Sequence, residues 1–143
     1  MLIGIPKIIT PELMKVMMEM GHGDELVLAD GNFPAAANAQ RLIRCDGLGT
    51  KELLQVILKF FPLEYRREVA ALMQIPPELN LVTSIQADYI EIMQETIGKQ
   101  PVVKYEQRDD FYARSRNAFA IVATGETARF ASIIIRKGII ASQ

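Results

Sequence analysis

Cysteine is almost missing from this chain. Cys45 stands alone, which excludes an internal disulfide and, with no histidine or second cysteine near it, a soft-metal site. At the end of an apolar run it reads as a small buried side chain. No apolar stretch approaches the length of a membrane span, and the N-terminus lacks the basic-then-apolar pattern of a secretory signal. The protein is therefore expected in the cytoplasm, with no membrane partner. An excess of charge of either sign is missing too: 16 Lys and Arg stand against 17 Asp and Glu, so nothing draws the chain electrostatically to nucleic acid. Clustered acidic motifs for Mg²⁺ are lacking, and no metal or other cofactor is expected. No linker, low-complexity tract or repeat interrupts the 143 residues, half of them apolar. Residues 1–143 are expected to form one domain with a sizeable core.

What is present alternates between helical and strand spacing. Thr10-Pro11-Glu12-Leu13 opens a helix with a cap, a proline in the first turn and an acid at the positive end of the dipole. Leu13, Val16, Met17 and Met20 form its buried stripe, and Gly21 is expected to stop it. Residues 26–29 and 42–45 read as strands. Thr50 is expected to cap a helix with the stripe Leu53, Leu54, Ile57, Leu58 and Phe61, closed by Pro62. The stretch 64–73 is open between strand and helix. Beyond Pro76-Pro77, Thr83 with Gln86 resembles a capping box for a helix that Gly98 ends. Strand spacing returns at 102–105, 118–123 and 133–135, with a short helix from Asp109 or Asp110 through Asn117. Strands alternating with helices predict a layered α/β sandwich.

Two polar groups stand out. His22, the only histidine, lies between two glycines at the expected end of the first helix, where the partial negative charge suits a protonated ring. Asp30 ends the apolar strand that follows, at the kind of edge where ligands of α/β sheets gather. Each also has a plain reading, as a solvated turn residue and as a turn former before Gly31. Spacing alone names no reaction.

Longer motifs do more. Residues 5–13 (Ile5-Pro6-Lys7 through Leu13), 19–25 (Glu19-Met20-Gly21-His22-Gly23-Asp24-Glu25) and 29–35 (Ala29-Asp30-Gly31-Asn32-Phe33-Pro34-Ala35) closely resemble the sugar mutarotase family that includes L-fucose mutarotase and D-ribose pyranase. Arg44-Cys45-Asp46-Gly47-Leu48-Gly49 is similar to that family's next motif, which usually has Ala at the position of Cys45. Arg108-Asp109-Asp110-Phe111-Tyr112 and residues 118–126, through Thr124-Gly125-Glu126, resemble the fucose branch. The likeness is weakest over 63–103.

The resemblance implies a single-domain α/β sandwich whose subunits close into a ring, a pentamer or decamer, with sugar pockets at subunit boundaries. It implies anomer exchange of a reducing monosaccharide, L-fucose or a related deoxyhexose, by acid/base-assisted ring opening and closure, without metal or redox cofactor. It makes His22 the proton donor and acceptor, and Asp30, Arg108, Phe130, Ala131 and Ser132 the sugar contacts. The chain departs from the family at Phe130-Ala131-Ser132, where relatives commonly have Tyr, a small residue and Asn. A phenol hydroxyl is lost and an amide becomes a shorter hydroxyl. That departure leaves two alternatives beside the mutarotase: a non-catalytic monosaccharide-binding protein, and a D-ribose pyranase-like enzyme. Arg114 and Arg116 are expected on an exposed or interfacial helix face, and Tyr112 as a packing aromatic or hydroxyl donor.

Overall fold

In the computed structural model, which describes residues 1–142, the Thr10 side chain accepts a hydrogen bond from the Leu13 amide at 3.1 Å. This cap starts helix α1, Pro11–Glu19, which buries Leu13, Val16 and Met17. Such caps contribute about 1 kcal/mol. The helix ends before Gly21 is reached: Met20 is already extended (ψ 141°), and the left-handed turn falls on Gly23 (φ +87°). Gly21 is therefore not the stop, and His22 occupies the turn that leads into strand β1, Glu25–Ala29.

Helix α2 (Ala35–Asn38), β2 (Leu42–Cys45), α3 (Thr50–Ile57), β3 (Ala70–Met73), α4 (Ile85–Ile97), β4 (Val103–Glu106), α5 (Arg108–Asn117), β5 (Ala120–Thr124) and β6 (Ile133–Arg136) follow. The strands form one sheet in the order β2-β5-β1-β6-β3-β4. β6 is antiparallel to both β1 and β3, while β1, β2 and β5 are mutually parallel and β3 is parallel to β4. Five strands thus share one direction, and their carboxyl ends share one edge.

Alternate side chains of a strand face opposite sides of the sheet. Leu26, Leu28, Leu72, Ile133 and Ile135 join one core with Leu13 of α1, Leu54 of α3 and Met93 of α4. Val27, Ala29, Ala71 and Ile134 join the other with Ala35 of α2 and Phe111 of α5. Both faces are covered, which is why the central strands read as continuous apolar runs.

Three local expectations are corrected. Thr50 is the first residue of α3 rather than its cap; the cap position is Gly49, and the Glu126 carboxylate accepts from the Thr50 amide at 3.1 Å. Gln86 forms no capping box, since its amide donates to the carbonyls of Met73 (2.8 Å) and Phe130 (3.1 Å). Arg114 is not on an exposed face: it is 15% exposed and pairs with Glu25, Glu68 and Glu106. Burial alone would lower its pKa, but hydrogen bonds and attraction from Glu25 and Glu68 outweigh that and hold it above the ordinary value.

Candidate functional site

Asp30 follows the last residue of β1, at the carboxyl edge. Its two oxygens are fixed from different directions. The Asn32 amide donates to Oδ1 at 2.9 Å, and the Ser132 hydroxyl donates to Oδ2 at 2.8 Å while accepting from the Asp30 amide at 3.0 Å. The next residue is a glycine, and a side chain there would be crowded. The Gly31 amide donates to the Glu126 carbonyl at 2.8 Å, and a Cβ there would lie 3.0 Å from that oxygen.

Around Asp30 opens a cleft of about 220 Å³ lined by Asn32, Phe33, Met73, Arg108, Tyr112, Arg129 and Phe130. Phe33 packs edge-on against Tyr112, with centroids 5.1 Å apart. Arg108 is 71% exposed and only 3.6 Å from the fully solvated Asp109, an ion pair of the kind that contributes little. Its guanidinium is thus available to a ligand. Phe130 has φ +56°, a left-handed backbone that costs a non-glycine residue about 1–2 kcal/mol. The Gln86 bond to its carbonyl helps hold that turn and presents the ring to the cleft.

Ala131 and Ser132 are fully buried. Neither lines the cleft. The Ala131 carbonyl accepts from the Tyr89 hydroxyl at 2.7 Å, the Tyr89 oxygen accepts from the Thr50 hydroxyl, and the Thr50 amide donates to Glu126 at 3.1 Å. Ser132 reaches the cleft only through Asp30. A buried chain from the start of α3 to the Asp30 turn therefore supports this edge, and single-residue spacing gives no sign of it.

His22 is at the other edge. The Gly23 amide donates to the Lys137 carbonyl at 2.8 Å, just past the end of β6, and the Lys137 ammonium donates to the carbonyls of Met17 (3.0 Å) and Met20 (2.5 Å). The loop is thereby fastened to helix and sheet together. His22 Nε2 lies 2.8 Å from Oε2 of Glu64, whose Oε1 accepts from the amides of Tyr65 and Arg66, each at 2.9 Å. The Arg66 amide first, and then the His22 hydrogen bond, hold the Glu64 carboxyl down to about 2 from 4.5. Glu64 is thus ionised throughout the neutral range. It lies in the stretch whose structure was open from sequence, and only an acid directly after the apolar Phe61-Pro62-Leu63 stop hinted at it.

The His22 side chain is 57% exposed. On one side it borders a cavity of about 520 Å³ shared with Glu25, Glu64, Arg66, Arg67 and Arg136. On the other it borders a groove of about 450 Å³ with Met14, Met18, Phe60 and Ile140. Among the described residues no cluster of three or more His, Cys, Asp or Glu side chains could hold a metal ion. Cys45 is buried, which raises its thiol pKa.

The structure thus brings Asp30, Arg108 and Phe130 together and leaves His22 apart from them. The five residues of β1, about 17 Å at strand rise, separate the two groups. One chain cannot present both to the same monosaccharide.

The sequence matches the RbsD / FucU transport protein family over residues 3–140. It is 46% identical to a fucose mutarotase of Danio rerio, covering 96% of this chain and 93% of that one. It is 43% identical to an L-fucose mutarotase of Actinobacillus pleuropneumoniae (serotype 5b), covering 97% of each. The fold superposes on the crystal structure of the Streptococcus pneumoniae fucose mutarotase in complex with L-fucose with a TM-score of 0.92 at 43% identity, covering 98% of this chain and 100% of that one.

Proposed function

This chain belongs to the RbsD / FucU transport protein family, and from that membership we propose that it is an isomerase that interconverts the α and β anomers of L-fucose. The observation that carries the reading is similarity at 43% identity, over nearly all of both chains, to a fucose mutarotase solved with L-fucose. The residues suit the chemistry. Anomer exchange needs one proton taken from the anomeric hydroxyl and one given to the ring oxygen, and an imidazole serves both steps near neutral pH.

His22 is the acid/base group. Asp30 binds sugar hydroxyls through lone pairs not used by Asn32 and Ser132, with charge-assisted strength. Arg108 and Phe130 line the same cleft, and Ala131 and Ser132 act on the sugar by shaping the Asp30 turn. Because β1 separates His22 from this cleft, the catalytic site is completed when the His22 edge of one copy meets the Asp30 edge of another. A head-to-tail contact of this kind repeats around a closed ring, a pentamer or decamer. The surface near His22 supports it: Met18 is 77% exposed, Ile140 85% and Phe60 37%, an apolar collar of the sort that marks an interface. The protein works in the cytoplasm; no helix among the described residues is long and apolar enough to cross a membrane.

Saturation-transfer NMR on L-fucose tests the reading. Transfer between the α and β anomeric protons should rise with protein concentration. Line broadening without transfer would make the protein a binder only, and neither effect would exclude both.

A further inference from the structure

We infer that Glu64 sets the tautomer of His22, so that Nδ1 is the nitrogen that exchanges the proton with the sugar. This rests on the mutarotase reading and names the atom that performs it. Glu64 is 7% exposed while His22 is 57% exposed, so the pair joins a buried, fixed carboxylate to an accessible ring. The carboxylate is itself immobile, because Oε1 is taken by the Tyr65 and Arg66 amides, each at 2.9 Å. Only Oε2 is left for the histidine, at 2.8 Å from Nε2.

An ionised carboxylate accepts hydrogen bonds and cannot donate them. Nε2 must therefore carry the hydrogen in the neutral ring as well as in the protonated one, and the lone pair of the neutral ring sits on Nδ1. Nδ1 has no hydrogen-bond partner among the described residues, which leaves it for substrate. The reaction balances through this atom. Nδ1 takes the anomeric hydroxyl proton as the C1–O5 bond breaks and the O1–H electron pair becomes the second bond of the aldehyde. The electron pair left on O5 receives the same proton back from Nδ1. The carbonyl rotates, and the reverse steps close the ring on its other face with no net change in the ring's charge. Glu64 acts on this step through His22 and is a positioning residue. Fixing a histidine through its far nitrogen is a common device for setting both orientation and basicity.

The substitution Glu64→Gln inverts the arrangement without removing the loop's bonds. The Tyr65 and Arg66 amides need an acceptor, so the glutamine oxygen faces them and its NH₂ faces His22. A donor opposite Nε2 requires a lone pair there and moves the hydrogen to Nδ1. Because His22 is the only histidine, its ring nitrogens can be read directly by ¹H–¹⁵N NMR of labelled protein.

The neutral wild-type ring should show protonated Nε2 and bare Nδ1. E64Q should show the reverse, with the backbone amide spectrum preserved outside the loop. Its kcat for L-fucose anomer exchange should fall about 10- to 100-fold with KM changed much less. A wild-type ring protonated on Nδ1 would overturn the assignment, whatever the variant does. An E64Q enzyme that keeps both the Nε2–H ring and full exchange would overturn the role of Glu64 alone. Wild-type protein that shows the expected tautomer but exchanges no anomers would overturn the mutarotase reading, and with it the proton step.

Discussion

The two edges of the sheet each hold a carboxylate whose oxygens are aimed by neighbouring donors, yet they use it differently. At the carboxyl edge, Asp30 is clamped by the Asn32 amide and the Ser132 hydroxyl and turns its remaining lone pairs to the cleft. At the opposite edge, Glu64 is clamped by two amides and turns its free oxygen to an imidazole that stands 57% exposed. One carboxylate faces an open cleft and the other an exposed imidazole. On the proposed function the difference separates the work: binding strength would belong to the Asp30 edge and proton transfer to the His22 edge, with a second copy joining them.

Substitutions at the two edges should therefore fail in different ways. His22→Gln should lower kcat for anomer exchange about 100- to 10,000-fold, the usual worth of a positioned acid/base group, and leave L-fucose binding by titration calorimetry close to that of the wild type. Asp30→Ala should weaken that binding about 10- to 100-fold, as expected from losing charged hydrogen bonds worth about 1.5–3 kcal/mol. If both variants lost affinity equally and kept their turnover, the division would be wrong. Ser132→Ala sharpens the contrast within one edge: it frees Asp30 without removing it, and the cost should be about 1 kcal/mol, or roughly fivefold in Kd.

A separate effect concerns stability. The folded-state pKa of Glu64 is lowered from 4.5 to about 2, so its contribution is complete above pH 4.5 and is lost as pH falls toward 2. Urea midpoints followed through that window should fall more steeply for the wild type than for Glu64→Gln. Parallel acid limbs would mean that Glu64 is not held in its ionised form by the fold.

The elements that sit in the core were legible in the sequence because the periodicity of apolar residues is written by burial. Residues 42–45 match β2, and Leu53, Leu54 and Ile57 are fully buried in α3 as their spacing demands. The fold class was legible for the same reason. Helix ends were less so, since Gly21 and Thr50 carry the composition of stops and caps, but Met20 already leaves the helix and the Glu126 carboxylate accepts from the first amide of α3, a contact made only after folding. Within the site, His22 and Asp30 were legible as unusual polar groups flanking one strand. Glu64 was not, because a carboxylate in a chain with 17 acids is marked only by its partner, 42 residues away in sequence. Gln86 and Tyr89 support the Phe130-Ala131-Ser132 turn by hydrogen bonds to carbonyls, which leave no trace in periodicity.

Co-assembly of His22→Gln with Asp30→Ala protein is the most direct test of the claim that two copies complete one site. At L-fucose well below KM, each variant alone should exchange anomers at about a tenth of the wild-type rate or less, His22→Gln through lost kcat and Asp30→Ala through lost affinity. Rings assembled from an equal mixture should regain about a quarter of the wild-type sites, because a contact between an intact His22 edge and an intact Asp30 edge then forms again. A mixture no more active than its parts, in rings shown to contain both chains, would contradict the account.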